Sequence, residues 1–132
     1  MIDNKQVAQM KHDGAVLGTV LHKDMVITAS LDKTVRVWET RTGKLLHTLT
    51  HLGGCVNVDI NPDKTLLAVA HHGGVTLWCL ETFTNLGQAQ LARVTDVRFL
   101  NNRRIIAGLY NGQVYLIDRP KLINTTPDTI LL

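Results

Sequence analysis

The sequence predicts an all-β fold built from about three copies of one four-stranded unit. The run Val35-Arg36-Val37-Trp38 returns as Val75-Thr76-Leu77-Trp78 and again as Val114-Tyr115-Leu116-Ile117, at spacings of 40 and 39 residues. A period of about 40–45 residues that ends in a Trp-bearing strand is typical of a β-propeller blade, in which four antiparallel strands form one sheet. We therefore expect blade units at about residues 12–50, 51–89 and 90–125.

The strands of each unit are predicted from short apolar runs between turn residues. In the first unit these runs are residues 16–21, 25–30, 35–38 and 45–49. In the second they are residues 56–60, 66–70, 75–78 and 86–89, and in the third residues 94–100, 104–109 and 114–117. Pro120 interrupts strand pairing, so residues 119–132 are either an outer strand or a tail.

The turn between the second and third strand of each unit is predicted to be a tight two-residue hairpin. The turn-forming pairs are Lys33-Thr34, Gly73-Gly74 and Gly112-Gln113, which follow Asp32, His72 and Asn111. Such hairpins need a positive φ angle, which Gly and Asn adopt at low steric cost.

The middle strands are apolar on both faces, as in Leu66-Leu67-Ala68-Val69-Ala70. Both faces must then be covered, in a propeller by the neighbouring blades. Three blades are too few to close a ring, since propellers have about four to eight. Residues 5–11 resemble an extra outer strand, which could complete the last blade of a partner chain and give a six-blade ring of two copies. The alternative, which ranks above the two-copy ring, is a partial, truncated product of a longer propeller with no independent function.

Composition favours a folded chain without a strong electrostatic signature. Hydrophobic residues make up 45% of the 132 residues, and the formal net charge is only +3. No apolar run approaches the length of a membrane span, and no secretory signal is visible, so we expect a cytoplasmic or nuclear location. Cys55 and Cys79 are expected to be free thiols, because they have neither metal-ligand spacing nor the density of a disulfide scaffold.

Four residues of the first unit, His12, Ser30, Asp32 and Trp38, resemble the pattern of the WD-repeat β-propeller family. The resemblance covers about residues 5–119 and implies a hydrogen-bonded relay through the blade, with the Asp accepting from the His. The second unit keeps only His51 and Trp78, with Ala70 and His72 at the other two positions. The third unit has no relay. As a structural set we therefore expect the following residues: His12, Ser30, Asp32, Trp38, His51 and Trp78.

The sequence offers no support for an enzyme, a metal site or a cofactor. Gly53-Gly54 and Gly73-Gly74 lie between strands with no helix behind them, unlike a phosphate-binding loop. Ser30 lacks the Gly-x-Ser-x-Gly context of a nucleophile. The three histidines His51, His71 and His72 have no acidic or cysteine ligand at a recognisable spacing.

We predict instead a non-enzymatic scaffold that binds protein partners of unknown identity. Hairpin topology gathers the loops before each first strand and after each second strand on one side, here named the loop face. In the WD-repeat family this is the usual partner-binding face, and members serve as signalling scaffolds or as substrate receptors of ubiquitin ligases. The resemblance points to exposed anchors at Leu31, His71, Tyr110 and Arg93.

The opposite side, here named the basic face, supports a second hypothesis, anion binding. It collects more Lys and Arg than acidic residues, and the candidate residues are Lys64, Arg103 and Arg104. The ligand would be a nucleic acid or an acidic lipid, and its binding would weaken steeply with salt. No aromatic residues are interleaved with these charges as a single-strand binder needs, so nucleic acid ranks below a protein partner.

Overall fold

The computed structural model describes residues 8–118 and 129–131, in which all regular secondary structure is β-strand. The strands form three antiparallel four-stranded sheets, here called blades 1, 2 and 3. Blade 1 contains β1 (Val16–His22), β2 (Met25–Ser30), β3 (Thr34–Glu39) and β4 (Leu45–Thr50). Blade 2 contains β5 (Cys55–Ile60), β6 (Leu66–His71), β7 (Gly74–Cys79) and β8 (Asn85–Gln90). Blade 3 contains β9 (Val94–Phe99), β10 (Arg104–Leu109), β11 (Val114–Asp118) and β12 (Thr129–Leu131).

The predicted fold class is confirmed, and the strands β1 to β11 begin and end within one residue of their predicted positions. The sequence predicts residues 119–132 to be either an outer strand or a tail. The short strand β12, residues 129–131, pairs with β11, so these three residues form an outer strand. Pro120 and the rest of that segment lie outside the described residues. Of the predicted extra strand at 5–11, residues 8–11 form no strand and 5–7 lie outside the described part.

The blades stack face to face through their innermost strands, with β1 against β5 and β5 against β9. One apolar core fills the space between blades 1 and 2, and it includes Ile27, Val37, Val58, Leu67 and Trp78. A second core lies between blades 2 and 3, and it includes Ala68, Leu77, Val97, Ile105 and Ile117. Blade 2 is covered on both faces, which explains why every residue of β6 is buried.

The hairpins after the second strand of each blade differ in length, which corrects the sequence prediction. In blade 1, Ala29 pairs with Val35, and in blade 3 Gly108 pairs with Val114, so both hairpins have three-residue turns. Each turn places its third residue, Lys33 or Gly112, at positive φ. Only blade 2 has the predicted two-residue hairpin, because His71 pairs with Gly74.

The shorter hairpin shifts the second strand of blade 2 by one residue relative to an ungapped alignment of the repeats. At the first β-bulge, Val16 pairs with Ser30 in blade 1, and Cys55 pairs with His71 in blade 2. His71 therefore occupies the position of Ser30, not that of Leu31. Because side chains alternate across a strand, this shift exchanges the faces on which the residues lie.

Candidate functional site

A hydrogen-bonded relay runs through blade 1 beneath the loop face. The Trp38 indole N–H donates to Thr28 Oγ1 over 2.9 Å, and Thr28 Oγ1 lies 2.5 Å from His12 Nε2. His12 Nδ1 lies 2.9 Å from Asp32 Oδ2. These contacts form one directed chain when the Thr28 hydroxyl donates to Nε2 and the Nδ1–H donates to the carboxylate. Every polar group in it has a partner, although His12, Thr28 and Trp38 are buried.

Thr28, which the sequence analysis did not select, supplies the hydroxyl of this relay in place of Ser30. Ser30 Oγ instead accepts the backbone N–H of Asp32 over 3.1 Å and stabilises the hairpin turn. The two residues are two positions apart on β2 and so face the same side of the blade. That period-two spacing makes Thr28 a candidate equal to Ser30, and the pairing of β2 with β3 sets Thr28 opposite Arg36 and so diagonal to Trp38 on the same face.

Asp32 connects the relay to the hairpin. Burial alone would raise the pKa of its carboxyl, but hydrogen bonds from the Thr34 hydroxyl and from His12 outweigh burial and lower it strongly. The backbone N–H groups of Thr34 and Asp13 add to this effect, at 2.9 and 3.1 Å. The carboxylate therefore stays ionised and ties two neighbouring loops of the loop face together.

Blade 2 has a reduced relay without a bridging hydroxyl. The Trp78 indole N–H donates directly to His51 Nε2 over 3.1 Å, and the His51 Nδ1–H donates to the Leu49 carbonyl over 3.1 Å. The His71 ring lies 5.1 Å from the His51 ring, and His71 Nε2 lies 2.9 Å from Thr76 Oγ1. The pKa of each of these two histidines is lowered to about 4, mainly by burial. A neighbouring histidine also lowers it, His71 for His51 and His72 for His71. Both rings are therefore neutral near pH 7.

The expected exposure of His71 on the loop face is wrong, because only 2% of this residue is accessible. The one-residue shift in blade 2 turns its side chain into the blade, where it contacts His51. His72 is the exposed histidine of this hairpin. Within the described residues, no group of three His, Cys, Asp or Glu side chains could hold a metal ion.

Backbone hydrogen bonds join the loops of the loop face across all three blades. His72 N–H donates to the Gly54 carbonyl, Arg93 N–H to the His72 carbonyl, and Tyr110 N–H to the Arg93 carbonyl, over 3.1, 2.9 and 3.1 Å. At the blade 1 end of this series, Leu31 packs so closely on Gly54 that a Cβ there would lie 3.0 Å from Leu31 Cδ2. The loops thus form a continuous, mutually held surface.

Three large apolar side chains stand exposed on this surface. Leu31, Leu52 and Tyr110 are 43%, 76% and 59% accessible. The Arg93 guanidinium lies 5.1 Å from the centre of the Tyr110 ring, within cation–π distance. Arg93 is itself held at a φ of 51°, a left-handed conformation that is uncommon for a residue with a side chain. Three of the four predicted anchors, Leu31, Tyr110 and Arg93, are therefore exposed on the loop face, and Leu52 is a further exposed residue there.

The basic residues chosen from the sequence have different surroundings, although the Asp63 backbone N–H donates to Asn102 Oδ1 and joins the turns of Lys64 and Arg103. Arg104 Nε donates to Asp118 Oδ1 over 2.9 Å, an ion pair that offsets its charge. Arg103 is exposed in the turn between β9 and β10. Lys64 instead lines a cavity between blades 1 and 2 together with Lys23 and His22, which the sequence analysis did not single out.

Comparison with known proteins agrees with these features. The family model described as "WD domain, G-beta repeat" matches residues 5–39, which include the whole blade 1 relay. The target of rapamycin complex subunit LST8 of Saccharomyces cerevisiae is 33% identical over 101 residues, which cover 71% of this chain and 33% of the relative. The WD repeat-containing protein 89 homolog of Dictyostelium discoideum is 28% identical over 98 residues, covering 70% and 27%. The chain belongs to the WD-repeat family.

This WD-repeat chain spans about a third or less of the length of these curated relatives. Among solved structures, the computationally designed Ika4 protein superimposes with a TM-score of 0.75 at 18% identity, covering 95% of this chain and 78% of the designed one. At that identity the similarity concerns the fold alone. Within the described residues, no helix has the length and apolar character needed to cross a membrane.

Proposed function

We propose that this WD-repeat segment is a non-enzymatic scaffold that binds a protein partner through its loop face. The observation that carries the proposal is that the Arg93–Tyr110 cation–π pair and two exposed leucines, Leu31 and Leu52, lie on the same hydrogen-bonded loop face. Aromatic and Arg side chains dominate the binding energy of protein interfaces, where they are surrounded by apolar contacts. Exposed apolar surface rimmed by polar residues is typical of protein interaction sites.

The hydrogen bonds between the loops of the loop face support the proposal, because they order these loops before a partner binds. Binding costs free energy for each loop or side chain that must be ordered in the complex. Here the Asp32 carboxylate and the backbone hydrogen bonds between Gly54, His72, Arg93 and Tyr110 fix the loops in the unbound chain. The ordering cost is therefore met during folding, and the anchors are presented in a defined arrangement.

The partner surface expected from this chemistry is apolar with acidic residues at its edge. Lys33, His72 and Arg93 are exposed on the same loop face as the leucines and Tyr110, and of the acidic residues there Asp13 is exposed whereas Asp32 is engaged in the relay. Opposite charges at the rim of an interface mainly increase the rate of association. The relative named as a subunit of a protein complex supports protein partners in general, and a cytoplasmic or nuclear location is part of this proposal.

The experiment compares the proteins that co-purify, by quantitative mass spectrometry, with the wild type and with Tyr110→Ser and Leu52→Ser variants. The matched control is Leu100→Ser, because Leu100 is 54% exposed but lies on the basic face. We expect a defined set of proteins to be lost from both loop-face variants and kept by the control. Retention of the same set by all variants, or its loss from the control as well, would contradict the proposal.

We also propose that a second copy of the chain covers the free face of blade 1. Leu17 and Leu21 are 51% and 71% exposed, and strand pairing places Leu21 beside Val26 on the side that faces away from blade 2. The same chain already stacks blades through two successive interfaces of one kind. Two copies would contribute six blades, within the range of about four to eight that closed propellers have.

Light scattering over a range of concentrations tests this second proposal. A dimer of twice 14.6 kDa is expected for the wild type. Leu21→Glu should give a monomer, whereas Leu46→Glu on the rim strand β4 should leave the dimer intact. A wild-type monomer at every concentration, or a dimer that Leu21→Glu does not weaken, would overturn the second-copy assignment.

A further inference from the structure

A small cavity on the basic face opens between blades 1 and 2, on the opposite side of the molecule from the loop face. Its volume is about 240 Å³, and it is lined by His22, Lys23, Lys64, Thr65, Cys79, Leu80 and Glu81. Pockets for drug-sized ligands are larger, at roughly 300–1,000 Å³. The cavity therefore suits a small group.

Two turns of unequal length each direct one lysine to this cavity. Lys23 belongs to the two-residue turn between β1 and β2, and Lys64 to the longer turn between β5 and β6. Both have positive φ, 56° and 63°, where Gly or Asn would be less strained. Within the described residues, neither lysine forms an ion pair with a carboxylate. Two lysines that form no described ion pair therefore border the cavity.

His22 lies in the same cavity with an unused ring. Only 7% of the residue is accessible, yet no described group forms a hydrogen bond with its imidazole. The ring nitrogens of His22 are not fully enclosed, so they are open to the cavity, where an incoming group can bond to them. Burial lowers the pKa of His22, and the positive charges of Lys23 and Lys64 lower it further.

The remaining charge in the cavity is Glu81, so two cations face one anion and the site keeps a net positive charge. Lysine binds phosphate as a point charge, and an imidazole N–H adds a directed donor. From the lysines, the unpartnered His22 and the size of the cavity, we propose that this inter-blade cavity binds a phosphate group. Lys23 and Lys64 provide the charge, and His22 provides a hydrogen bond.

The reactivity of the Cys79 thiol can report whether a phosphate group is bound in the cavity, because Cys79 is one of the lining residues. It lines the cavity, and the pKa of its thiol is lowered by hydrogen bonds from the Thr82 side chain and from the backbone of Thr82 and Glu81. Cys55, the second cysteine of the sequence, is fully buried, and burial together with Asp32 raises the pKa of its thiol to about 12. A neutral alkylating reagent such as iodoacetamide should therefore modify Cys79 first, since the thiolate is the reactive form.

The test measures the rate of Cys79 alkylation by mass spectrometry, with and without inorganic phosphate, at constant ionic strength set with chloride. A bound phosphate shields the thiol and disfavours its thiolate, so we expect the rate to fall several-fold as phosphate saturates the site. Blocked phosphoserine is a second probe: stronger protection by it indicates a phosphorylated side chain as ligand, and stronger protection by inorganic phosphate indicates a free small phosphate. Equal rates with phosphate, phosphoserine and chloride would overturn the proposal.

Variants assign the effect to the cavity. Lys23→Gln and Lys64→Gln remove one charge each and should weaken protection about five-fold, allowing for partial exposure of the lysines. Glu81→Gln should strengthen it. Lys44→Gln is the control, because Lys44 lies on the same basic face but outside the cavity lining. Equal loss of protection in Lys44→Gln would show a diffuse charge effect and refute a defined site. Loop-face variants should leave protection unchanged, so this proposal and the scaffold proposal fail separately.

Discussion

Replacement of Thr28 by Val tests the relay of blade 1 directly. Val keeps the β-branched shape that suits a strand but removes the hydroxyl that accepts from Trp38 and lies 2.5 Å from His12 Nε2. The buried indole N–H and the buried imidazole nitrogen then both lose their partner. Each unsatisfied buried polar group costs about 1–3 kcal/mol, so with partial relaxation we expect a loss of about 2–4 kcal/mol in the free energy of unfolding.

Ser30→Ala is the matched comparison, because it removes one hydroxyl from the same face of the same strand. Its loss breaks a single turn hydrogen bond from the Asp32 backbone, which is worth about 1 kcal/mol. Urea unfolding followed by tryptophan fluorescence measures both variants. With a slope of about 1.5 kcal/mol per molar urea, Thr28→Val should lower the midpoint by about 1–3 M. The reasoning is refuted if Ser30→Ala costs as much as Thr28→Val, or more.

Three further predictions concern pH, backbone space and the cross-blade contact. The pKa of His51 and that of His71 are lowered to about 4, so between pH 6.5 and 4 the unfolded chain binds more protons than the folded chain. The free energy of unfolding should therefore fall as the pH drops from about 6.5 to 4. His71→Gln should reduce this pH dependence, measured by urea unfolding at each pH. Gly74→Ala should lower the free energy of unfolding by about 3–5 kcal/mol in a denaturant melt, because the φ angle of Gly74 is 143° and a Cβ would overlap the Ala89 carbonyl oxygen. Gly112→Ala should lower it by only about 1 kcal/mol, because a Cβ at Gly112 would lie in open space. Similar losses for the two variants would contradict this account. Asn57→Leu should weaken the contact between blades 2 and 3, because the Asn57 side chain donates a hydrogen bond to Asp96. Amide hydrogen exchange should then increase in β9 more than in β4. Unchanged exchange in β9 would show that this hydrogen bond does not hold the two blades together.

The strands and their order were predictable from the sequence because their signals are local. Apolar runs, turn residues and the repeat that begins Val35-Arg36-Val37-Trp38 indicate where strands begin and end, and within blades 1 and 2 each neighbouring pair of strands is joined by a short hairpin. The stacking of blades also followed, since a run such as 66–70 that is apolar on both faces must be covered on both. The exposed positions Leu31 and Tyr110 were correctly placed because blades 1 and 3 keep hairpins of equal length.

The site residues that the sequence misassigned depend on register and on contacts between blades. An ungapped repeat alignment could not reveal that blade 2 has one residue fewer in its hairpin, which buries His71 against His51. It could not choose between Thr28 and Ser30, because both hydroxyls lie on one face and only the distance to Trp38 decides. The sequence determined the strands through local hydrophobic pattern and turn chemistry. Only the tertiary structure decided which side chains meet. His22, Lys23 and Lys64 line one cavity although they come from two blades. The residue pattern within one strand contains no information about the distance to a strand of another sheet.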